Sequence, residues 1–258
     1  MKKVALFFAF LLLGTSGAFA QSSKYDLNGD GNVNVTDVIE LVGIILGKNH
    51  EAVDLGLPSG TKWAACNVGA TKPEEYGGYY AWGETEEKEV YDRSTYKFYQ
   101  DDEYVNIGED ISGTEYDVAH VKWGGNWYMP TWEDFRELIS NCKIEWTTFN
   151  GVKGEKFTSK INGNSIFLPA AGSRKNGDLN YTGEYGDYWS STLYPDYSSC
   201  ARSYSFGISA TLYYSVYFLG HNVRPVLRNY CILSIASKWI SNCLNLTILQ
   251  LTVSFCTI

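Results

Sequence analysis

Two stretches of this chain carry side chains whose types and spacing could do chemistry. The first is DLNGDGNVNVTD, residues 26–37. Asp26, Asn28 and Asp30 stand at positions 1, 3 and 5 of a calcium-type loop, with Gly31 at 6, where a sharp turn needs it. Asn32 follows at 7 with its backbone carbonyl, Asn34 at 9 and Asp37 at 12. A hard cation needs several oxygens around one point, and this spacing delivers them from a single loop, so the expected ligand is Ca2+. Asp37 replaces the usual Glu, which shortens the bidentate reach. The competing reading is an Asn/Gly-rich turn that holds no ion.

The second stretch is residues 192–221. It carries Tyr194, Tyr197, Tyr204, Tyr213, Tyr214 and Tyr217 among Ser198, Ser199, Ser203, Ser205, Ser209 and Ser215. Tyrosine gives large contact area for little lost entropy, and serine gives adaptable hydrogen bonds, which is the pairing that recognition surfaces favour. The candidate ligand residues are Tyr194, Asp196, Tyr197, Tyr213, Tyr214 and Tyr217, with His221 at the border. Phenol rings can stack on sugar faces while Ser and Asp make polar contacts.

No catalytic set is legible. Neither a Ser-His-Asp nor a Cys-His arrangement nor a zinc spacing can be read, and nothing singles out one pair of carboxylates for glycoside hydrolysis. Cys66 and Cys142 either form a disulfide, worth about 2–4 kcal/mol, or remain buried thiols. Arg224, beside Pro225 at the end of a last strand, is expected to pair with an acid or with backbone carbonyls. His50 reads as a solvated linker residue, and His120 as packing or capping a strand.

These residues need elements to hold them. The chain has 258 residues, enough for one main domain with small additions, and 45% hydrophobic residues can fill a core. Residues 1–20 read as a cleaved signal peptide: Lys2 and Lys3, an apolar Val4–Leu13, then Ala18-Phe19-Ala20. The formal charge is −8, and losing Lys2 and Lys3 with the leader takes it to −10. Such a balance argues against nucleic acid and anionic membrane as partners. The loop is followed by a helix over about 36–46 that is apolar on nearly every side, and Gly47 stops it. Residues 48–52 are a polar linker. A hairpin is expected at LPSG and an aromatic strand over Tyr76–Glu84. Residues 85–122 read as a long loop, either functional or loosely ordered. Thr131 caps a helix through WEDFRELISN, with Asp134 at N3 and Glu133 pairing with Arg136. Trp132, Phe135, Leu138 and Ile139 form its core face. Three strands, IEWTTF, GEKFTS and NSIFLPA, are joined by turns at Asn150-Gly151 and Asn162-Gly163-Asn164.

Residues 26–47 resemble a dockerin type I repeat, the calcium-loop-and-helix half-module of polysaccharide-degrading assemblies. One repeat is found where a complete dockerin has two, and Val35-Thr36 stand where Ser-Thr is common. The resemblance implies a cohesin-like or self-associating partner through the helix. Six ordered motifs, VDLGLPSGTKWAACNVGA, YYAWGE, WYMPTWEDFRELISNC, NSIFLPAAGSR, YWSST and VRPV, resemble the Fibrobacter succinogenes major paralogous domain over residues 53–226. That family is similar to C-type-lectin-like and formylglycine-generating-enzyme-like domains. What it implies is an α+β domain of many short antiparallel strands and one or two helices, with a last hairpin near Cys200–Tyr217 that displays variable side chains. The neighbouring-cysteine arrangement of formylglycine-generating enzymes is missing.

Residues 227–258 fit none of these patterns: three cysteines, almost no charge, and an alternating LNLTILQLTVSF. The expectation is a reading-frame change, against an added strand or a sticky partner surface. The chain is thus expected to be a secreted, non-catalytic binding or adhesion protein whose Tyr/Ser-rich face recognises a glycan or a protein. The alternatives are an accessory or enzymatic component of polysaccharide degradation and a structural cell-surface assembly protein.

Overall fold

The computed structural model describes residues 50–207 and 212–228, together with positions 34, 35, 37 and 38. The expected leader, the ligands Asp26, Asn28, Asp30 and Asn32, most of the following helix and residues 229–258 lie outside the described residues. Contacts divide the chain into Met1–His50 and Glu51–Ile258.

In the second unit, β1 (Ala52–Val53) pairs antiparallel with β2 (Lys62–Ala64). Their connection turns at Leu57-Pro58-Ser59-Gly60, where the Gly60 N–H donates to the Leu57 carbonyl at 2.8 Å. Next come a hairpin of β3 (Tyr99–Gln100) and β4 (Glu103–Tyr104), helix α1 (Val118–Trp123), β5 (Trp127–Tyr128) and helix α2 (Trp132–Asn141). β6 (Cys142–Phe149), β7 (Val152–Ser159) and β8 (Ser165–Pro169) make an antiparallel sheet in that order. β9 (Ser173–Lys175) and β10 (Asp178–Asn180) form a small hairpin. β11 (Tyr185–Leu193), β12 (Cys200–Gly207) and β13 (Leu212–Val216) form the third larger sheet. β14 (Val226–Leu227) closes the domain by entering between β2 and β5. Among the described residues of Glu51–Ile258 the architecture is α+β: small antiparallel sheets with two α-helices.

Local chemistry explains the elements that were legible. Asn150 (φ 47°) and Gly151 (φ 85°) both take the left-handed conformation, so they make the tight turn between β6 and β7. Thr131 caps α2: its Oγ1 accepts from the Asp134 N–H at 3.2 Å, and the Asp134 carboxylate accepts from the Thr131 N–H at 2.7 Å. Arg136 reaches Glu133 at 3.1 Å. Phe135 and Leu138 are fully buried, while Trp132 and Ile139 are half-buried at the margin.

Two expectations need correction. Tyr76–Glu84 is no strand, and its one ladder contact is a bridge from Tyr80 to His221. Tyr79, Tyr80, Ala81 and Trp82 are all buried in succession, so the segment needs core on every side, which an alternating strand cannot give. Residues 85–122 are neither loose nor featureless. Tyr91, Tyr96, Phe98 and Ile111 are buried anchors, and Asp92 caps a 3-10 turn at Arg93–Thr95. His120 sits within α1 and packs on a strand, its ring stacked on Tyr128 at 5.1 Å.

Cys66 and Cys142 are free and buried, as is Cys200, so the bridge does not form. Burial pushes the Cys142 thiol up to about 11. Arg224 takes the carbonyl option. Fully buried, it donates to Asn67 Oδ1 (2.8 Å), to the carbonyls of Ala64 (3.1 Å) and Ala65 (2.8 Å), and to that of Phe167 (2.9 Å).

Candidate aromatic recognition site

The β11–β12 connection and the β13 strand bring three tyrosines together. Just past the end of β11, Tyr194 is held by its N–H donating to the Cys200 carbonyl at 3.1 Å. The Cys200 N–H in turn donates to the Tyr197 carbonyl at 3.1 Å, which folds residues 194–200 into a tight return. Tyr214 lies on β13 directly opposite Arg202 on β12. Ring centroids are 4.4 Å apart for Tyr194–Tyr214, 5.7 Å for Tyr194–Tyr197 and 5.7 Å for Tyr197–Tyr214. The three rings therefore form a triangle. Tyr197 is 54% exposed and Tyr214 40%.

Alternation decides which phenols reach solvent. On β13, Tyr214 points out while Ser215 points inward to His221. On β12, Arg202 and Tyr204 share a face, and the middle of α2 covers Tyr204, whose ring stacks on Phe135 at 5.5 Å. Arg202 lies at the first residue of the helix, its guanidinium 5.4 Å from the Trp132 ring and 4.9 Å from the Tyr194 ring. Asp196 is exposed, and its carboxylate bears on the Tyr194 phenol. Partial loss of water, then the Asp196 carboxylate, raise the Tyr194 phenol above its ordinary value.

Of the sequence-predicted ligand residues, Tyr194, Asp196, Tyr197 and Tyr214 gather here. Tyr217 and His221 do not reach the surface and are corrected to core positions. Tyr217 is 4% exposed and stacks on Trp82 at 4.9 Å, because it follows the end of β13 and turns under the sheet. Burial pushes its phenol up to about 12. His221 is 2% exposed, with its ring 4.3 Å from Trp189 and its backbone bridged to Tyr80. Its Nε2 lies 2.9 Å from Ser215 Oγ, but among the described residues its Nδ1 has no partner. The orienting third group of a nucleophilic triad is thus missing. The side chain of Tyr213 lies outside the described residues. Trp132 and Arg202 were missed by sequence reading. The signal for Arg202 is its parity with Tyr204 in ARSYS, and for Trp132 its place at the first position of α2.

Of the proposed cation ligands, only Asn34 and Asp37 are described. The Asn34 N–H donates to Asp37 Oδ2 at 2.6 Å, which draws the last two ligand positions of the loop together. Oxygen donors of this kind suit a hard cation. A separate groove of about 380 Å³ lies against β6–β8, lined in part by Val53, Phe149, Lys156 and Phe167. Among the described residues no helix is long and apolar enough to cross a membrane. No family model, curated protein or solved structure matches the chain.

Proposed function

We propose that this chain is an exported, non-catalytic binding protein that recognises a glycan through Tyr194, Tyr197 and Tyr214 on a C-type-lectin-like scaffold. The observation that carries the reading is the solvent-facing triangle of phenol rings, held by β13 and the β11–β12 return. Clustered aromatic area at a surface is unfavourable for a solitary domain and favourable for a partner that covers it. Sugars present apolar ring faces edged by hydroxyls, which matches phenols flanked by Ser198, Ser199 and Asp196. The dockerin-like segment accompanies this reading as an attachment device: Asp26, Asn28, Asp30, Asn32, Asn34 and Asp37 would hold Ca2+, and the apolar helix would meet a cohesin-like partner or a second copy. Such a protein would serve as an adhesion factor or as an accessory to polysaccharide breakdown.

A glycan array probed with the mature chain tests the site. Binding to a defined glycan class is expected, falling by about tenfold or more when Tyr197 and Tyr214 are both replaced by Ala. Binding unchanged in that double variant would place recognition elsewhere.

A further inference from the structure

We infer that the Trp132–Arg202–Tyr194 side of this platform selects glycans bearing an acidic group, a carboxylate or a sulfate on a sugar ring. The inference rests on the glycan reading above and adds the charge of the ligand. Arg202 lies against two aromatic rings, Trp132 at 5.4 Å and Tyr194 at 4.9 Å. Contacts of this kind are made by the cation with a ring face and do not consume the N–H donors as hydrogen bonds would. Among the described residues the guanidinium donates no hydrogen bond and joins no ion pair, so a fixed planar cation has its fork unused. A planar fork held in place is what bidentate recognition of a carboxylate or sulfate requires, because little conformational freedom is then lost on binding.

Its position matters as much as its charge. Arg202 is the cross-strand neighbour of Tyr214, and Tyr214 stacks on Tyr194 at 4.4 Å. A pyranose lying on the phenols would therefore carry its ring substituents to the guanidinium. The opposing charges are identifiable. Asp196 is exposed and close enough to Tyr194 to raise its phenol, so its carboxylate stands against an anionic ligand. Glu133, next to Trp132, is engaged by Arg136 at 3.1 Å. The formal charge of −8 repels polyanions from a distance. Screening confines that repulsion to about 8–10 Å at physiological salt, so short oligosaccharides rather than polymers are the proper probes.

The test uses the mature chain and calorimetric titration with four probes: an oligogalacturonate, its methyl ester, a sulfated galactan oligosaccharide and its desulfated form. The acid is expected to bind about tenfold tighter than its ester, or the sulfated form tighter than the desulfated, which names the group. Arg202→Lys keeps the charge and loses the fork, and is expected to lose most of that preference. Arg202→Gln loses all of it, whereas Asp196→Asn, which removes the opposing charge, tightens binding of the acidic probe. Tightening is an outcome that a merely structural role for these residues does not produce. The acid-against-ester comparison needs no variant, so it decides even where Arg202→Gln disturbs the packing. Equal binding of charged and neutral probes overturns this inference and leaves the glycan reading standing. Absence of binding to all four probes, together with a blank array, overturns both.

Discussion

Among the described residues Glu155 is a carboxylate without a cation. It lies on β7 between Trp146 and Leu168 of the neighbouring strands, and it accepts a hydrogen bond from the Tyr204 hydroxyl at 2.7 Å. Burial raises its carboxyl above the ordinary range, and the Tyr204 bond only partly offsets this. The folded state thus holds the proton more tightly than the unfolded chain, so stability from this group falls as pH rises through the raised value. Glu155→Gln removes the titration and keeps an acceptor for Tyr204. It is expected to raise Tm at pH 7 by about 2–4 °C, the scale of a 1 kcal/mol change in a domain of this size, with the gain fading toward pH 4. A Tm gain that stays constant across that pH range would show that the ionised carboxylate is not the cause. His221 acts with the opposite sign: burial lowers its ring below the usual histidine value, so its contribution is complete at neutral pH and is lost on acidification. At this scale composition revealed a tyrosine-rich surface but not its members. Tyr214 and Tyr217 look alike in sequence, and only the end of β13 between them sends one outward and the other beneath the sheet.

Elements were legible where one local rule decided them. α2 has its cap, its apolar spacing and its ion pair within ten residues, so no distant contact is needed to place it. The β6–β7 hairpin is fixed by Asn150-Gly151 in the same way. The Tyr76–Glu84 segment failed because aromatic content suggests a strand while its path is set by distant partners. Tyr79 donates to the Ala171 carbonyl at 2.6 Å, and Trp82 to that of Ser190 at 2.9 Å. Glycines at 77 and 83, both with positive φ, break the extended backbone between them. The local rule for α2 can be tested on its own. Thr131→Ala removes the acceptor for the Asp134 N–H and is expected to cost about 1 kcal/mol, whereas Thr131→Ser should be nearly silent. Chemical denaturation of both variants checks this, and an Ala variant as stable as the Ser one would mean that packing of Phe135 and Leu138 alone holds the helix.

At the scale of the whole domain, Arg224 joins parts that are far apart in sequence. Its guanidinium binds carbonyls at the end of β2, the side chain of Asn67 and the Phe167 carbonyl in β8. Two residues later Val226 stands opposite both Trp63 and Tyr128, so β14 joins the first hairpin to the segment that leads into α2. The expectation put the arginine–proline pair at the end of a last strand, but the pair comes just before β14, and nothing local shows that this strand is central in its sheet; strand order depends on pairing across the full length of the domain. Burial lowers the affinity of Arg224 for its proton, and Tyr188 and Cys66 act against that shift, while carbonyl and amide oxygens satisfy its N–H groups. Arg224→Leu would leave the oxygens of Ala64, Ala65, Phe167 and Asn67 facing an apolar side chain. Each orphaned acceptor costs about 1–3 kcal/mol, so a total loss on the order of 3–5 kcal/mol is expected after relaxation and water entry. Arg224→Lys should recover only part of it, because one ammonium cannot span acceptors spread over β2, the Asn67 loop and β8. Urea unfolding followed by tryptophan fluorescence measures both. A Leu variant that unfolds at the wild-type midpoint would show that the sheets hold together without this residue, and that β14 closes the domain through Val226 alone.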